Sequence, residues 1–337
     1  MTSVLVVVLN WNGIEDTKEC LDSLFQQTYK DFQVAVVDNG SVDDSLAQLK
    51  PFEKAHSNLV VLKNSKNLGF DGGVNTGIKY AIKNGFDAVA LFNNDAIANE
   101  DWLKKLVPHL KGDIGIVTGL LLHRDGKTID TTGDFYTTWG VPSPRYRGSS
   151  SDTIPESGYV FGASGGASLY SITMLKTIGL FDETFFAYYE DVDISFRAQL
   201  AGFKVFYTKD AIAYHKQGAT SSKIPGFTVY QTFKNLPLLF WKNVPLELLV
   251  PIGARFLLVY TLIFGNAVKN RSGWPALKGW LASIWYFWVS ALWLRFAIQR
   301  NKKVSSAYID SILYHDIPPE QTGMRKFRQF FTRITGE

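Results

Sequence analysis

The chain has 337 residues, 46% of them apolar, enough for a full core. Its single cysteine, Cys20, excludes an intrachain disulfide and, with it, the disulfide-stapled secreted class. A net charge of +4 conceals a division: residues 1–222 hold 20 Lys/Arg against 26 Asp/Glu, and residues 223–337 hold 15 against 5.

No basic stretch precedes the apolar run at 4–9, which is six residues long and reads as a buried strand, not a signal peptide. Helical spacing follows over 17–25, a strand over 32–37, a shorter helix over 45–52 and a third strand over 59–63. A helix over 73–83, a strand over 88–92 and a helix over 101–110 complete the first third. This βαβα order predicts an α/β fold with a mainly parallel sheet, whose ligands bind at the carboxyl ends of the strands. Each of those ends is polar: Asn10-Trp11-Asn12, Asp38-Asn39-Gly40-Ser41, the run 64–69, and Asn93-Asn94-Asp95.

From 114 the pattern changes to short strands and turns (114–122, 128–136). A Gly/Pro/Ser-rich stretch at 139–155 is expected to be a mobile loop. The run 159–170 reads as a strand with glycines where something approaches the backbone closely. Then comes FDETFFAYYEDVDISFRAQLAGFKVFYTKDAIAYH, spanning 181–215. It combines an aromatic loop, three carboxylates in four residues (Glu190, Asp191, Asp193), an apolar helical pattern closed by Gly202, a strand over 204–208 and then His215. Acids crowded beside Tyr188 and Tyr189 do not all ionise easily, which makes one of them a candidate base.

Beyond 222 the chain becomes basic and Trp-rich. An acidic catalytic unit (1–222) is therefore expected to precede a helical region (223–337) that sits on a membrane surface; nucleic acid is not an expected partner. The apolar stretch 246–264 contains Pro251 and Arg255, and the uncharged stretch 280–294 is fifteen residues long with four tryptophans. A spanning helix needs about 20 apolar residues. Short, interrupted and flanked by Lys269, Arg271, Lys278, Arg300, Lys302 and Lys303, these stretches are expected to lie in the interface at the cytoplasmic face. The competing reading is a helical hairpin buried in a soluble oligomer.

Asp38, after a buried strand, could accept a hydrogen bond from a nucleobase, although an Asx-turn uses the same residue. The run NLGFDGGVNTG lacks the GxGxxG spacing but joins a tight turn to a helix start, which suits contact with a nucleotide. Asp95 could hold a hard divalent cation shared with substrate phosphates, and His215 could complete that site. Asn93-Asn94-Asp95 would also serve as a plain polar turn.

Taken together, VVVLNWNG, VVDNGS, NLGFDGGVNTG, LFNNDA, GASGGASLY, FDETFFAYYEDVDISFRAQLAGF and AYH resemble the inverting GT-A glycosyltransferases of family 2, particularly the rhamnosyltransferase-like branch. The likeness covers roughly residues 3–245. It implies the GT-A fold, a nucleotide-diphosphate sugar as donor, dTDP-L-rhamnose first and UDP-sugars next, and a lipid-linked or glycan acceptor. It also implies Mg²⁺ or Mn²⁺ held by Asp95 and His215, and Asp191 as the residue that activates the acceptor. Donor contacts are implied for Asn10, Asp38, Asn67, Gly69 and Asn94, with Lys234 neutralising the diphosphate. One departure stands out: the metal motif ordinarily carries two or three aspartates, and here only Asp95 is acidic. Two other classes share parts of the pattern. A nucleotidyltransferase would need a Gly-rich, basic triphosphate loop after the first strand, which is missing, and a non-catalytic scaffold would have no use for both Asp95 and Asp191.

Overall fold

The computed structural model describes residues 1–216 and 224–316. The expected boundary at 222/223 lies outside the described residues. The chain begins β1 (Val4–Asn10), α1 (Ile14–Phe25), β2 (Phe32–Asp38), α2 (Ser45–Ala55), β3 (Leu59–Lys63), α3 (Gly69–Lys83) and β4 (Ala88–Asn93). Then follow β5 (Ala96–Ala98), α4 (Trp102–Leu106), β6 (Ile114–His123), β7 (Ile129–Thr131), β8 (Asp134–Tyr136), β9 (Pro142–Pro144), β10 (Gly158–Val160) and β11 (Ala167–Ser171). The remainder is α5 (Ile172–Ile178), α6 (Glu190–Leu200), β12 (Lys204–His215), α7 (Phe227–Asn243), α8 (Leu246–Lys269), α9 (Gly273–Tyr286), α10 (Leu292–Arg300) and α11 (Ser306–Ile312).

One mixed sheet, in the order β10-β12-β6-β11-β4-β1-β2-β3, forms the centre, with β5 added to β12 and β7 to β6. β3, β2, β1 and β4 run parallel, and β11 enters antiparallel between β4 and β6. β1 shows why its sequence is apolar without interruption. Val4, Val6 and Val8 pack with Leu21, Leu24 and Trp102 on one face, while Leu5 and Val7 pack with Ile78, Tyr170 and Met174 on the other. The GT-A architecture expected from the sequence is the one observed.

Several expectations need correction. The strand expected at 204–208 runs on to His215, because a bulge between Tyr207 and Ile212 interrupts the apolar alternation without ending the strand. The stretch expected to be a loop contains β9, paired antiparallel with β8. The helix expected over 101–110 is α only to Leu106 and continues as a 3₁₀ turn containing Pro108. The two apolar C-terminal stretches are also longer than their uncharged cores suggested. α8 has 24 residues, and α9 passes through a π-helical turn at Phe287–Ala291 into α10, giving 28 residues in all. At 1.5 Å per residue these measure about 36 and 42 Å, so shortness is no argument against spanning.

α7 to α11 share a core with the sheet domain: Tyr136, Phe161 and Phe196 pack with Leu236, Leu239, Phe256 and Val259. A buried ionic joint lies between α6 and α7, where Asp193 meets Arg197 Nε at 2.8 Å and Lys242 Nζ at 3.0 Å.

Candidate active site

Sheet register assembles the site. Asn10 at the end of β1 pairs with Asp38 at the end of β2, and Leu9 pairs with Asn93 of β4. The bulge in β12 carries that strand across to β5, where His215 pairs with Ala96, so the ring lies beside Asp95. A cleft of about 830 Å³ opens over these strand ends. Asn67, Gly69, Asn94, Asp95, Asp191 and His215 all line it.

His215 Nε2 lies 3.0 Å from Asp95 Oδ1 and 3.3 Å from Asn93 Nδ2, and Nδ1 lies 2.8 Å from Asp130 Oδ2. Burial disfavours an imidazolium here, but hydrogen bonds to Asp130 and Asp95 and the charges of both push its pKa up to about 9. Asp130 is anchored by Arg147, whose guanidinium approaches its Oδ1 at 3.0 Å and donates from Nε to its carbonyl at 3.1 Å. A divalent cation fits this donor set. One carboxylate oxygen and one imidazole nitrogen converge on the same point, and a carboxylate behind the ring fixes its orientation, as metal-bound histidines require. With two protein donors, the rest of the shell would fall to phosphate oxygens and water.

Asp191, in the first turn of α6, lines the same cleft. Its Oδ2 accepts from Gly165 N at 3.0 Å and its Oδ1 from Val192 N at 2.8 Å. Burial raises its pKa, and these backbone bonds together with Arg147 pull against the rise. Glu190 beside it is also raised, by burial and then by Asp71 and Asp191, and its Oε2 is buried without a partner. Asp193 is turned into the ionic joint with α7 and so is unavailable to an acceptor.

The donor wall is a hydrogen-bonded web. Asn39 Nδ2 donates to Asn67 Oδ1 at 3.1 Å and to Gly69 O at 2.9 Å, and its Oδ1 accepts from Asn64 Nδ2 and Leu68 N. Gly69 has φ +75°, and a Cβ there would stand 2.3 Å from Phe186 O, so only glycine lets this loop meet the aromatic loop.

Three expected donor residues do not line the cleft. Asp38 is fully buried, taking bonds from Asn10 Nδ2 (3.0 Å) and Ser41 N (3.2 Å), while Asn10 accepts from Thr17 Oγ1. Both build the wall from behind; Asn39 reaches the cleft, with its amide held in the web described above. Lys234 is 3% exposed and donates to Thr184 O and Phe185 O at 2.8 and 3.0 Å. Its ammonium holds the aromatic loop, and burial lowers its pKa to about 8. In this structure the Lys234 ammonium therefore faces loop carbonyls and not the cleft where a diphosphate is expected. Among the described residues, Arg147 is the lysine or arginine that lines the cleft. Sequence reasoning missed Arg147, Asp130 and the buried Asp134, because they sit in the segment read as a short strand and a mobile loop.

A GT-A sheet whose strand ends open into a cleft lined by Asp95, His215 and Asp191 is the arrangement expected of a nucleotide-sugar-dependent transferase. The sequence model of Glycosyl transferase family 2 matches residues 3–178, and the chain belongs to that family. It is 24% identical over 237 residues to the low-salt glycan biosynthesis hexosyltransferase Agl10 of Haloferax volcanii, covering 68% of this chain and 73% of that protein. It is 26% identical over 251 residues to the dTDP-rhamnosyl transferase RfbF of Shigella flexneri, covering 71% and 80%. Among solved structures, the mannosyltransferase PcManGT of Pyrobaculum calidifontis, in complex with GDP-Man and Mn²⁺, superposes with a TM-score of 0.52. That match has 15% identity and covers 91% of this chain and 78% of that one. S. aureus TarS 1-349 superposes with a TM-score of 0.52 at 17% identity, over 89% and 90%. The protein is thus a family 2 glycosyltransferase that uses a nucleotide-sugar donor.

Proposed function

We propose that the enzyme inverts the anomeric centre in a single displacement, transferring L-rhamnose from dTDP-rhamnose to a hydroxyl of a lipid-linked or glycan acceptor. The observation that carries this reading is the placement of Asp191 in the same cleft as the Asp95–His215 pair. Asp191 accepts the proton of the attacking hydroxyl, whose oxygen forms the new bond to the anomeric carbon as the bond to the diphosphate breaks. Its raised pKa makes it a stronger base than an exposed aspartate, and the Gly165 and Val192 N–H groups fix its orientation. Asp95 Oδ1 and His215 Nε2 would hold Mg²⁺ or Mn²⁺, which would supply positive charge to the departing diphosphate. Asp130 fixes the tautomer of His215, and Arg147 adds positive charge to the cleft. Likeness to RfbF supports the choice of dTDP-rhamnose.

The same reading seats the enzyme on a membrane at the cytoplasmic face. Trp274, Trp285, Trp288 and Trp293 are each more than 60% exposed on α9 and its continuation into α10, and Leu257 is 66% exposed on α8. Each helix has a narrow buried stripe, and most of its surface is exposed. Ile252 and Ala267 near the two ends of α8, and Ala276 and Ala291 on the other helix, are buried against the rest of the protein. A stripe held this way along its whole length favours helices lying in the interface over a hairpin standing clear in lipid.

The test is a donor panel of dTDP-rhamnose and UDP-, GDP- and other dTDP-sugars, reading nucleoside diphosphate release with and without a lipid-linked acceptor. Acceptor-dependent release of dTDP supports the proposal. Preference for a UDP-sugar reassigns the donor, and acceptor-independent hydrolysis alone with every donor overturns the transfer reading.

A further inference from the structure

The eight residues before α6 take an improbable path. Phe186, Tyr188 and Tyr189 have φ values of +64°, +69° and +72°, the left-handed region that bulky side chains avoid. Asp191 follows two residues later, so the path of this loop sets where its carboxylate points.

The loop is gathered by one side chain. Asn235 on α7 is fully buried, and its Nδ2 lies 3.0 Å from Phe185 O, 2.9 Å from Ala187 O and 2.9 Å from Tyr188 O. All three partners are carbonyls, so the group facing them must be the NH₂, and Oδ1 has no hydrogen-bond partner. Lys234 adds the two bonds to Thr184 O and Phe185 O. α7 is held in turn by α9: a Cβ on Gly279 would stand 2.3 Å from Tyr230 O and 3.1 Å from Lys234 N, so the two backbones touch.

We propose that Asn235 is a positioning residue for sugar transfer: its amide holds the left-handed aromatic turn and thereby aims Asp191 at the acceptor hydroxyl. Without the amide, the three carbonyls lose the two N–H groups they share, and the turn relaxes towards ordinary backbone angles. The donor wall touches this turn where Gly69 meets Phe186, but it keeps its own bonds through Asn39, so the effect should fall on transfer more than on nucleotide binding. The C-terminal helices are on this view part of the catalytic apparatus as well as an anchor, because α9 seats the helix that carries Asn235. The inference rests on Asp191 acting as the base.

The test uses full-length Asn235→Ala and Asn235→Ser with dTDP-rhamnose, or the donor the panel selects, and the lipid-linked acceptor. Binding of the matching nucleoside diphosphate is measured by calorimetry. Expected for Asn235→Ala is a fall in kcat of about 10²-fold with donor KM and nucleotide Kd within about threefold of wild type. Asn235→Ser, which keeps one donor, should fall in between. A double-mutant cycle separates aiming from folding: in a Tyr188→Gly background, where glycine adopts the positive φ freely, the loss on Asn235→Ala should shrink at least tenfold. Near-wild-type kcat in folded Asn235→Ala overturns the proposal, as does a loss that is equal in both backgrounds or mirrored in nucleotide affinity. Asp191→Asn is run alongside. Full activity there removes the base assignment and the positioning role with it, whereas an inactive Asp191→Asn beside an active Asn235→Ala removes the positioning role alone. Where Asn235→Ala is insoluble, Asn235→Ser and its cycle decide.

Discussion

Replacing Asp193 by Asn would break the joint between the sheet domain and the C-terminal helices. Asp193 is 0% exposed; its Oδ2 takes Arg197 Nε at 2.8 Å, and its Oδ1 takes Lys242 Nζ at 3.0 Å and Asn243 Nδ2 at 2.8 Å. Burial alone would raise its pKa, yet the charges of Lys242 and Arg197, with the bonds from Asn243 and Lys242, hold it down at about 2. Against an ordinary aspartate near 3.9, that depression corresponds to about 2–3 kcal/mol of stability at neutral pH. Removing one partner of a buried pair costs about 3–5 kcal/mol. The stranded cations keep other contacts: Arg197 donates to Ile178 O, Gly179 O and Leu180 O, and Lys242 retains Asp182. The expected loss is therefore about 2–4 kcal/mol. Because the folded pKa is depressed, the contribution is complete above the unfolded value near 4 and disappears as pH falls through about 2. Urea unfolding followed by tryptophan fluorescence, at pH 7 and at steps down to pH 2, should show wild type and Asp193→Asn converging in acid. A variant within about 0.5 kcal/mol of wild type at pH 7 would refute the reasoning, as would a gap that stays constant into acid.

Asp191→Asn should lower transfer by about 10²-fold or more while nucleotide affinity holds, because an amide cannot accept the hydroxyl proton; near-normal kcat would move the role to Glu190. Since burial raises the pKa of Asp191 and the base works deprotonated, kcat should climb with pH through a limb lying above the usual aspartate range; a limb at or below that range contradicts the assignment. Asp95→Ala and His215→Ala should both weaken Mn²⁺-dependent nucleotide binding, and Asp130→Asn should do so by about 10–100-fold through ring orientation alone. Full activity in EDTA would sink the cation site. Flotation with anionic liposomes, followed by labelling of cysteines placed at 266–274, should show attachment with labelling from the cytoplasmic side only. Labelling from the far side would mean a spanning hairpin.

The parallel half of the sheet was legible because β1, β2 and β4 are buried on both faces and all four parallel strands end in polar loops. The first turn of α6 was legible for the same reason: three acids at a helix start, after aromatics, have few uses. What escaped was long-range. Asp130, with Arg147 behind it, meets His215 only because the bulge in β12 redirects the strand after Tyr207, and local spacing carries no record of a bulge. Lys234 shows a related effect. A lysine before an asparagine on an apolar helix looks poised for an anion, but burial turned both residues towards carbonyls of another loop. The C-terminal helices were under-measured because charged residues at their ends, such as Lys269 and Arg300, were counted as flanks, although backbone hydrogen bonding continues through them.

The departure in the metal motif takes on a different meaning once the fold is known. Asn93 and Asn94 leave Asp95 as the one acid of its loop, which by charge count alone predicts a poor cation site. The missing charge lies behind the histidine. Asp130, 2% exposed, faces His215 Nδ1 and is itself partly offset by Arg147. A negative group behind an imidazole strengthens the nitrogen on its far side as a donor, so Asp95 and a carboxylate-backed His215 can do the work of two aspartates. Asn93, whose amide lies 3.3 Å from His215 Nε2, and Asn94, bonded to Thr17 Oγ1 at 3.1 Å, then shape the pocket without adding charge. With fewer fixed anions around it, the site repels the donor diphosphate less, and the cation and nucleotide should bind as a pair. Calorimetry with dTDP titrated at increasing Mn²⁺ tests this: dTDP affinity should rise at least tenfold with saturating Mn²⁺, and by linkage Mn²⁺ affinity should rise by the same factor with dTDP. Equal dTDP affinity with and without Mn²⁺ would mean that Asp95 and His215 hold no cation the donor shares.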